Sequence, residues 1–207
     1  MPIDSTEPAA SDVPVAGDPI ETIVKGVGKP KRRRQSLLEW VIILVVAAGV
    51  SILLRTYVVQ TYWIPSGSME PTLMIGDHVL VDKLSVTWGT INRGDVVVFR
   101  APKAANLACH DSLPIYVKRV IGLPGDHLTS KGNTIYVNGK PLHENWPHTE
   151  PLGLPIGKVT VPANSYFMIG DNHNDSCDSR YWGSLPRSAI VGKVVLRIWP
   201  LSRIGSV

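Results

Sequence analysis

The sequence predicts a mainly β protein, an antiparallel sheet or barrel-like domain behind one N-terminal transmembrane helix. Three observations carry this. Residues 40–54 (WVIILVVAAGVSILL) contain no charge. From Tyr57 onward no sustained 3.6-residue period appears, only short β-branched runs broken by turn signals. The 18 Gly and 17 Pro among 207 residues favour turns over long helices. A charged share of 18%, below the globular average of about 25%, and a hydrophobic share of 44% exclude a wholly disordered chain. Two cysteines cannot staple a disulfide-framework protein, and without a CxxC pair they make a poor zinc site.

Residues 1–28, rich in Pro, Ala, Asp, Ser and Gly, read as a tail without an apolar period. Lys29, Lys31, Arg32, Arg33 and Arg34 then place five cations in six residues. Directly after them, residues 37–59 would form a helix of roughly 34 Å, long enough to cross a bilayer. Ser36 and Glu39 stand at capping-box spacing. The cluster on the N-terminal flank predicts a cytoplasmic N-terminus and an exported C-terminal bulk. The expected organisation is a cytoplasmic tail over 1–36, an anchor over 37–59 and an extracytoplasmic domain over 60–207. A cleavable signal peptide shares this order of charge and apolar core, but no small-x-small site follows Leu54. A buried core helix fits poorly beside such a charge block. The net charge of +4 invites a nucleic-acid reading; beyond Leu54, however, 15 Lys and Arg are interspersed with 11 Asp and Glu, so no nucleic-acid partner is expected.

Predicted strands follow in order: 78–82 after Gly76-Asp77, 96–100 after Gly94-Asp95, and 116–121 before Gly122-Leu-Pro-Gly125. Residues 134–137 precede Asn138-Gly139, a strong hairpin signal. Runs 159–161, 165–169 and 190–198 complete the set.

Three stretches could carry chemistry. Ile64-Pro-Ser-Gly-Ser-Met-Glu-Pro-Thr-Leu73 presents two serines two apart in a segment stiffened by Pro65 and Pro71. In Tyr116-Val-Lys-Arg-Val-Ile121, Lys118 interrupts an apolar run on the same strand face as Tyr116 and Val120. Gly170 to Gly183 is a dense polar loop. Singly, each also reads blandly, as a linker, a solvated strand lysine, and turns. A calcium loop fails on spacing and lacks the bidentate Glu.

Together the three resemble the bacterial type I signal peptidase family, the serine/lysine-dyad leader peptidases. The first stretch matches that family's nucleophile box, residues 116–126 its lysine box, and Gly-Asp-Asn with Ser-x-Asp-Ser-Arg-Tyr-Trp-Gly its C-terminal box. Order and spacing agree over roughly Tyr62 to Trp199. The resemblance implies a membrane-bound serine endopeptidase that removes signal peptides from exported preproteins after small residues at −1 and −3. It makes Ser68 the nucleophile and Lys118 the general base. Ser66 and the Ser68 backbone N–H become the oxyanion hole, and Ser176 the group that orients the lysine. Asp178 and Arg180 become a supporting ion pair, and Tyr62, Ile64, Met69 and Val117 the substrate pockets. It further implies a largely antiparallel β fold with an apolar surface on the bilayer, preprotein signal peptides as partners, a monomer, and no metal or cofactor.

The chemistry suits those roles. A serine hydroxyl needs a neighbouring base, and lysine serves only when neutral. Half-deprotonation near neutral pH needs a shift of about three units from roughly 10.4, which burial among apolar side chains supplies in sign. A carboxylate touching Lys118 would work against this, so a hydroxyl is the better orienter. Trp63 beside the site could anchor at the membrane interface.

The chain departs from the resemblance where Gly-Asp-Asn continues as His173-Asn174-Asp175-Ser176 instead of Arg-Asp-Asn-Ser. That leaves the contacts of Asp171 open. Residues 101–114 are atypical and contain Cys109, while Cys177 sits in the C-terminal box. If the boxes meet, a Cys109–Cys177 disulfide becomes an expectation, with two free thiols as the alternative. Rival readings are a histidine-assisted hydrolase built on His173, and a non-catalytic or specialised membrane-anchored β-module. Metal binding by Cys109-His110-Asp111 or by His143 with His148 is weakly supported, since solvated loop histidines are commoner.

Overall fold

The computed structural model describes residues 36–109 and 113–207. The tail and basic cluster read from the sequence, together with His110 and Asp111, lie outside them. By compactness the chain divides between Leu44 and Val45.

Helix α1 spans Leu37–Tyr57. The Ser36 hydroxyl accepts the Glu39 N–H, satisfying one of the helix's unpaired amide donors. None of its residues is buried by the protein, and it is long and apolar enough to cross a membrane. The helix stops short of residue 59 because the backbone there turns to another partner. Strand β1 (Val59–Trp63) already pairs with β2 (His78–Asp82), with Val59 opposite Asp82.

The remaining elements are α2 (Leu84–Thr87), β3 (Val96–Arg100), α3 (Lys103–Cys109), β4 (Ile115–Gly122), β5 (His127–Lys131), β6 (Thr134–Val137) and β7 (Lys140–Pro141). They continue as β8 (Val159–Thr160), β9 (Ser165–Ile169), α4 (Ser179–Trp182), β10 (Leu185–Pro186), β11 (Ile190–Trp199) and β12 (Gly205–Ser206). An eight-stranded sheet runs β1-β2-β11-β3-β4-β9-β10, with β12 on β11, and a four-stranded sheet runs β7-β6-β5-β8. The strand pairs are antiparallel. The fold is therefore mainly antiparallel β with one apolar N-terminal helix.

The large sheet is covered on both faces, as the continuous apolar run of β3 requires. Val97 and Phe99 pack with Tyr116 and Val120, while the alternating Val96 and Val98 pack with Ile64, Met69 and Leu73. The two faces reach the site from opposite sides, one through β4 and one through the segment after β1. In the small sheet the Asn138-Gly139 turn joins β6 to β7 with both residues at positive φ, 52° and 79°, the backbone that a type I′ hairpin demands.

Candidate active site

Ser68 sits in a single 3₁₀ turn, Gly67–Met69, entered from an extended Ser66. Two buried side chains, Ile64 and Met69, pin the turn to the core. Across the fold, Asn172 holds its backbone. The Asn172 N–H donates to the Ser68 carbonyl at 3.2 Å, and its side-chain amide donates to the Gly67 carbonyl at 3.1 Å. Gly170 makes that approach possible, since a Cβ there would collide with the Ser68 carbonyl and the Ser176 hydroxyl.

Lys118 lies in β4 opposite Val97 of β3 and is only 4% exposed. Its Nζ donates a hydrogen bond to Ser68 Oγ and lies 5.7 Å from the Tyr116 ring centroid. Ser66 Oγ is 3.4 Å from Ser68 Oγ. These groups open into a groove of about 350 Å³, along which Tyr62, Ile64, Met69 and Val117 contribute apolar wall. Burial pushes the Tyr62 phenol up, against a smaller opposing pull from Arg100.

Ser176 is buried nearby, but among the described residues its hydroxyl has no hydrogen-bond partner. The bond to Lys118 expected from the sequence is therefore not formed in this structure. Close packing of Ser176 against Gly170 and the Ser68 turn sets where its oxygen lies. Asp178 and Arg180 form a bidentate ion pair, with Nε–Oδ1 at 2.8 Å and Nη2–Oδ2 at 2.7 Å. Both side chains are almost wholly buried. Asp178 also accepts the Gly170 N–H, and Arg180 donates to the His173 carbonyl, so the pair braces the loop that positions Ser176. Cys109 and Cys177 are disulfide-bonded, their Cα atoms 6.0 Å apart.

Sequence reasoning missed a second buried pair. Asp171, whose contacts were left open, accepts Arg119 Nε at 2.7 Å and Nη2 at 2.6 Å, and also the Thr72 hydroxyl. Arg119 is stacked 5.0 Å from the Trp146 ring. The available signal was a second cation, adjacent to Lys118, in an otherwise apolar strand; Asp178 could not serve it because Arg180 occupies that carboxylate. His173 does not support a Ser–His–Asp reading. Its Nε2 lies 3.3 Å from Glu144 Oε2 and its ring stacks on His148, and among the described residues no hydrogen bond joins it to Ser68.

A serine hydroxyl against a buried lysine, beside an apolar groove in a β-domain, is the equipment of a serine peptidase. Comparison with known proteins agrees. Residues 37–199 match the family described as signal peptidase, peptidase S26. A probable signal peptidase I-2 of Synechocystis is 40% identical over 190 residues, covering 89% of this chain and 84% of that protein. The signal peptidase I of Leptolyngbya laminosa is 37% identical over 199 residues, covering 96% and 89%. A solved signal peptidase I from Enterococcus faecalis V583 is 28% identical at a TM-score of 0.40, covering 50% of this chain and 96% of that one. The chain belongs to the signal peptidase family, peptidase S26.

Proposed function

We propose that the chain cleaves signal peptides from exported preproteins by an acyl-enzyme route with Ser68 as nucleophile and Lys118 as general base. The observation that carries this is the hydrogen bond from a buried Lys118 Nζ to Ser68 Oγ. A buried ammonium loses its hydration, which favours the neutral amine that can accept the serine proton. Ser68 then attacks the scissile carbonyl, and the Lys118 ammonium returns the proton to the leaving amine. Water, deprotonated by the same amine, releases the acyl group. Ser66 Oγ and the Ser68 N–H receive the developing oxyanion, each such donor being worth roughly 10²–10³ in rate. The groove walls at Tyr62, Ile64, Met69 and Val117 admit small residues at −1 and −3. The anchor would hold the N-terminus in the cytoplasm and the domain outside, with exposed Trp63 and Trp199 available to the bilayer surface.

The test is turnover of an Ala-x-Ala preprotein by detergent-solubilised protein. Ser68→Ala and Lys118→Ala should each lower kcat by about a thousandfold or more, and Ser66→Ala by about a hundredfold. The exposed Lys131→Ala should match the parent. Activity surviving in Lys118→Ala would defeat the mechanism.

A further inference from the structure

We propose that Glu144, His148 and His173 form a site for one transition-metal ion of the zinc class, which fastens the segment after β7 to the loop between β9 and α4. This goes beyond the peptidase reading and uses none of its reacting groups. One ligand atom from each residue lies within 4.8 Å of the other two. Glu144 Oε2 is 3.3 Å from His173 Nε2 and 3.9 Å from His148 Nδ1. A tetrahedral ion with bonds of about 2.0–2.1 Å has ligand-to-ligand edges of about 3.4 Å; the Glu144–His173 edge already has that length, and the edges to His148, within 4.8 Å, close by movement of that ring. Two imidazoles and one carboxylate suit zinc, cobalt or copper, whereas magnesium and calcium prefer all-oxygen sets.

Glu144 supplies the independent sign of a ligand. Its side chain is 7% exposed, and among the described residues its Oε2 makes no hydrogen bond, facing the ring nitrogens of His173 at 3.3 Å and His148 at 3.9 Å. Such a buried carboxylate oxygen is costly unless something positive meets it. His173, 3% exposed, is equally withdrawn from solvent. The Trp146 carbonyl, 3.0 Å from His148 Nδ1, accepts that N–H and orients the ring, which leaves Nε2 as the His148 ligand nitrogen. Because both cysteines are disulfide-bonded, no thiolate competes for the ion.

The elements joined already touch. Thr149 N–H donates to the Asp171 carbonyl at 2.8 Å, and the Thr149 hydroxyl meets Asn172 Oδ1 at 3.0 Å. His173 directly follows Asn172, which holds the carbonyls of Gly67 and Ser68. An ion here would therefore stiffen the loop that positions the Ser68 turn.

The experiment uses the tag-free full chain in detergent, stripped with EDTA, with cobalt and zinc as probes. Cobalt should bind at one equivalent with the visible absorption of a tetrahedral complex and be displaced by zinc. Zinc at about a hundredfold excess over its Kd should raise Tm by on the order of 5–10 °C. Glu144→Gln and His148→Gln should each weaken binding at least tenfold, while His143→Ala, an exposed neighbour, should not. Absence of stoichiometric binding by the parent overturns the site, whatever the variants do. Binding unchanged in both Gln variants overturns it equally. None of these readouts needs turnover, so Ser68→Ala protein serves as well, and failure here leaves the dyad untouched.

Discussion

Ser176 carries an energetic oddity at the scale of single residues. A buried hydroxyl without a partner costs about 1–3 kcal/mol, yet Ser176 sits in this condition against Gly170, beside the Ser68 turn. Such a group is tolerated where its hydrogen bond is needed only during reaction. We predict that Ser176→Ala leaves the urea midpoint unchanged or higher and lowers kcat about tenfold or more with KM nearly constant. A kcat equal to the parent's would remove Ser176 from any role in positioning Lys118. Ser68, Lys118 and Ser176 stand out only because three ordered boxes occur together and resemble a known family, since each stretch alone also reads as a linker, a solvated strand lysine or turns. The Arg119–Asp171 pair was not legible in the same way. Its members are 52 residues apart, and nothing local says that Trp146 and Thr72 will close around them. Glu144, His148 and His173 escaped for the same reason. Within one segment, His143 with His148 was the visible pairing, whereas the fold brings in His173 from another loop.

At the scale of elements, legibility followed apolar content. Strands β2, β3, β6 and β9 coincide with the β-branched runs read from the sequence, because each run is bounded by turn residues and buried on at least one face. Strand β5 was not predicted, since its only inward apolar residue is the fully buried Leu128. Helices α2, α3 and α4 span four to seven residues and are too short for a helical period to show. The turn from β4 to β5 is held by Asp126, which gives this scale its prediction. Burial alone would raise the Asp126 carboxyl. Hydrogen bonds from the Leu123 N–H, Asn138 and Arg93, with the Arg93 charge, outweigh it and hold the pKa below the ordinary 3.8. A carboxyl depressed in the folded state contributes stability that is fully present above its unfolded value of about 3.9 and lost as pH falls through the folded one. Asp126→Asn should therefore cost about 1–3 kcal/mol at pH 7 and flatten the loss of stability on acidification below about pH 4. Urea melts at pH 7, 5 and 3.5 check both effects, and an equally steep acid limb in the variant would refute them.

For the whole molecule, net charge and orientation are separate matters. The first 54 residues carry six cations and six acids, so the +4 resides arithmetically in the remainder, where charges are interspersed. A net-charge argument would thus send the wrong end of the chain to the negative cytoplasmic face. What orients a single span is the local count of Lys and Arg beside it, and five of those six cations fall within residues 29–34. The cysteines supply an internal reporter of the outcome. A Cys109–Cys177 bond persists on the oxidising side of a membrane and is reduced in the cytosol. In cells trapped with an alkylating agent, the parent should show no alkylated cysteine without prior reduction. Replacing Lys29, Lys31, Arg32, Arg33 and Arg34 by Gln or Ser should leave a fraction of the domain inside and make both thiols of that fraction alkylatable. The same fraction should fail to process preprotein, because its groove is on the wrong side. Parent protein with two reactive thiols, or a charge-neutralised variant as protected as the parent, would contradict the proposed topology, since burial in the domain is common to both chains and only the compartment differs.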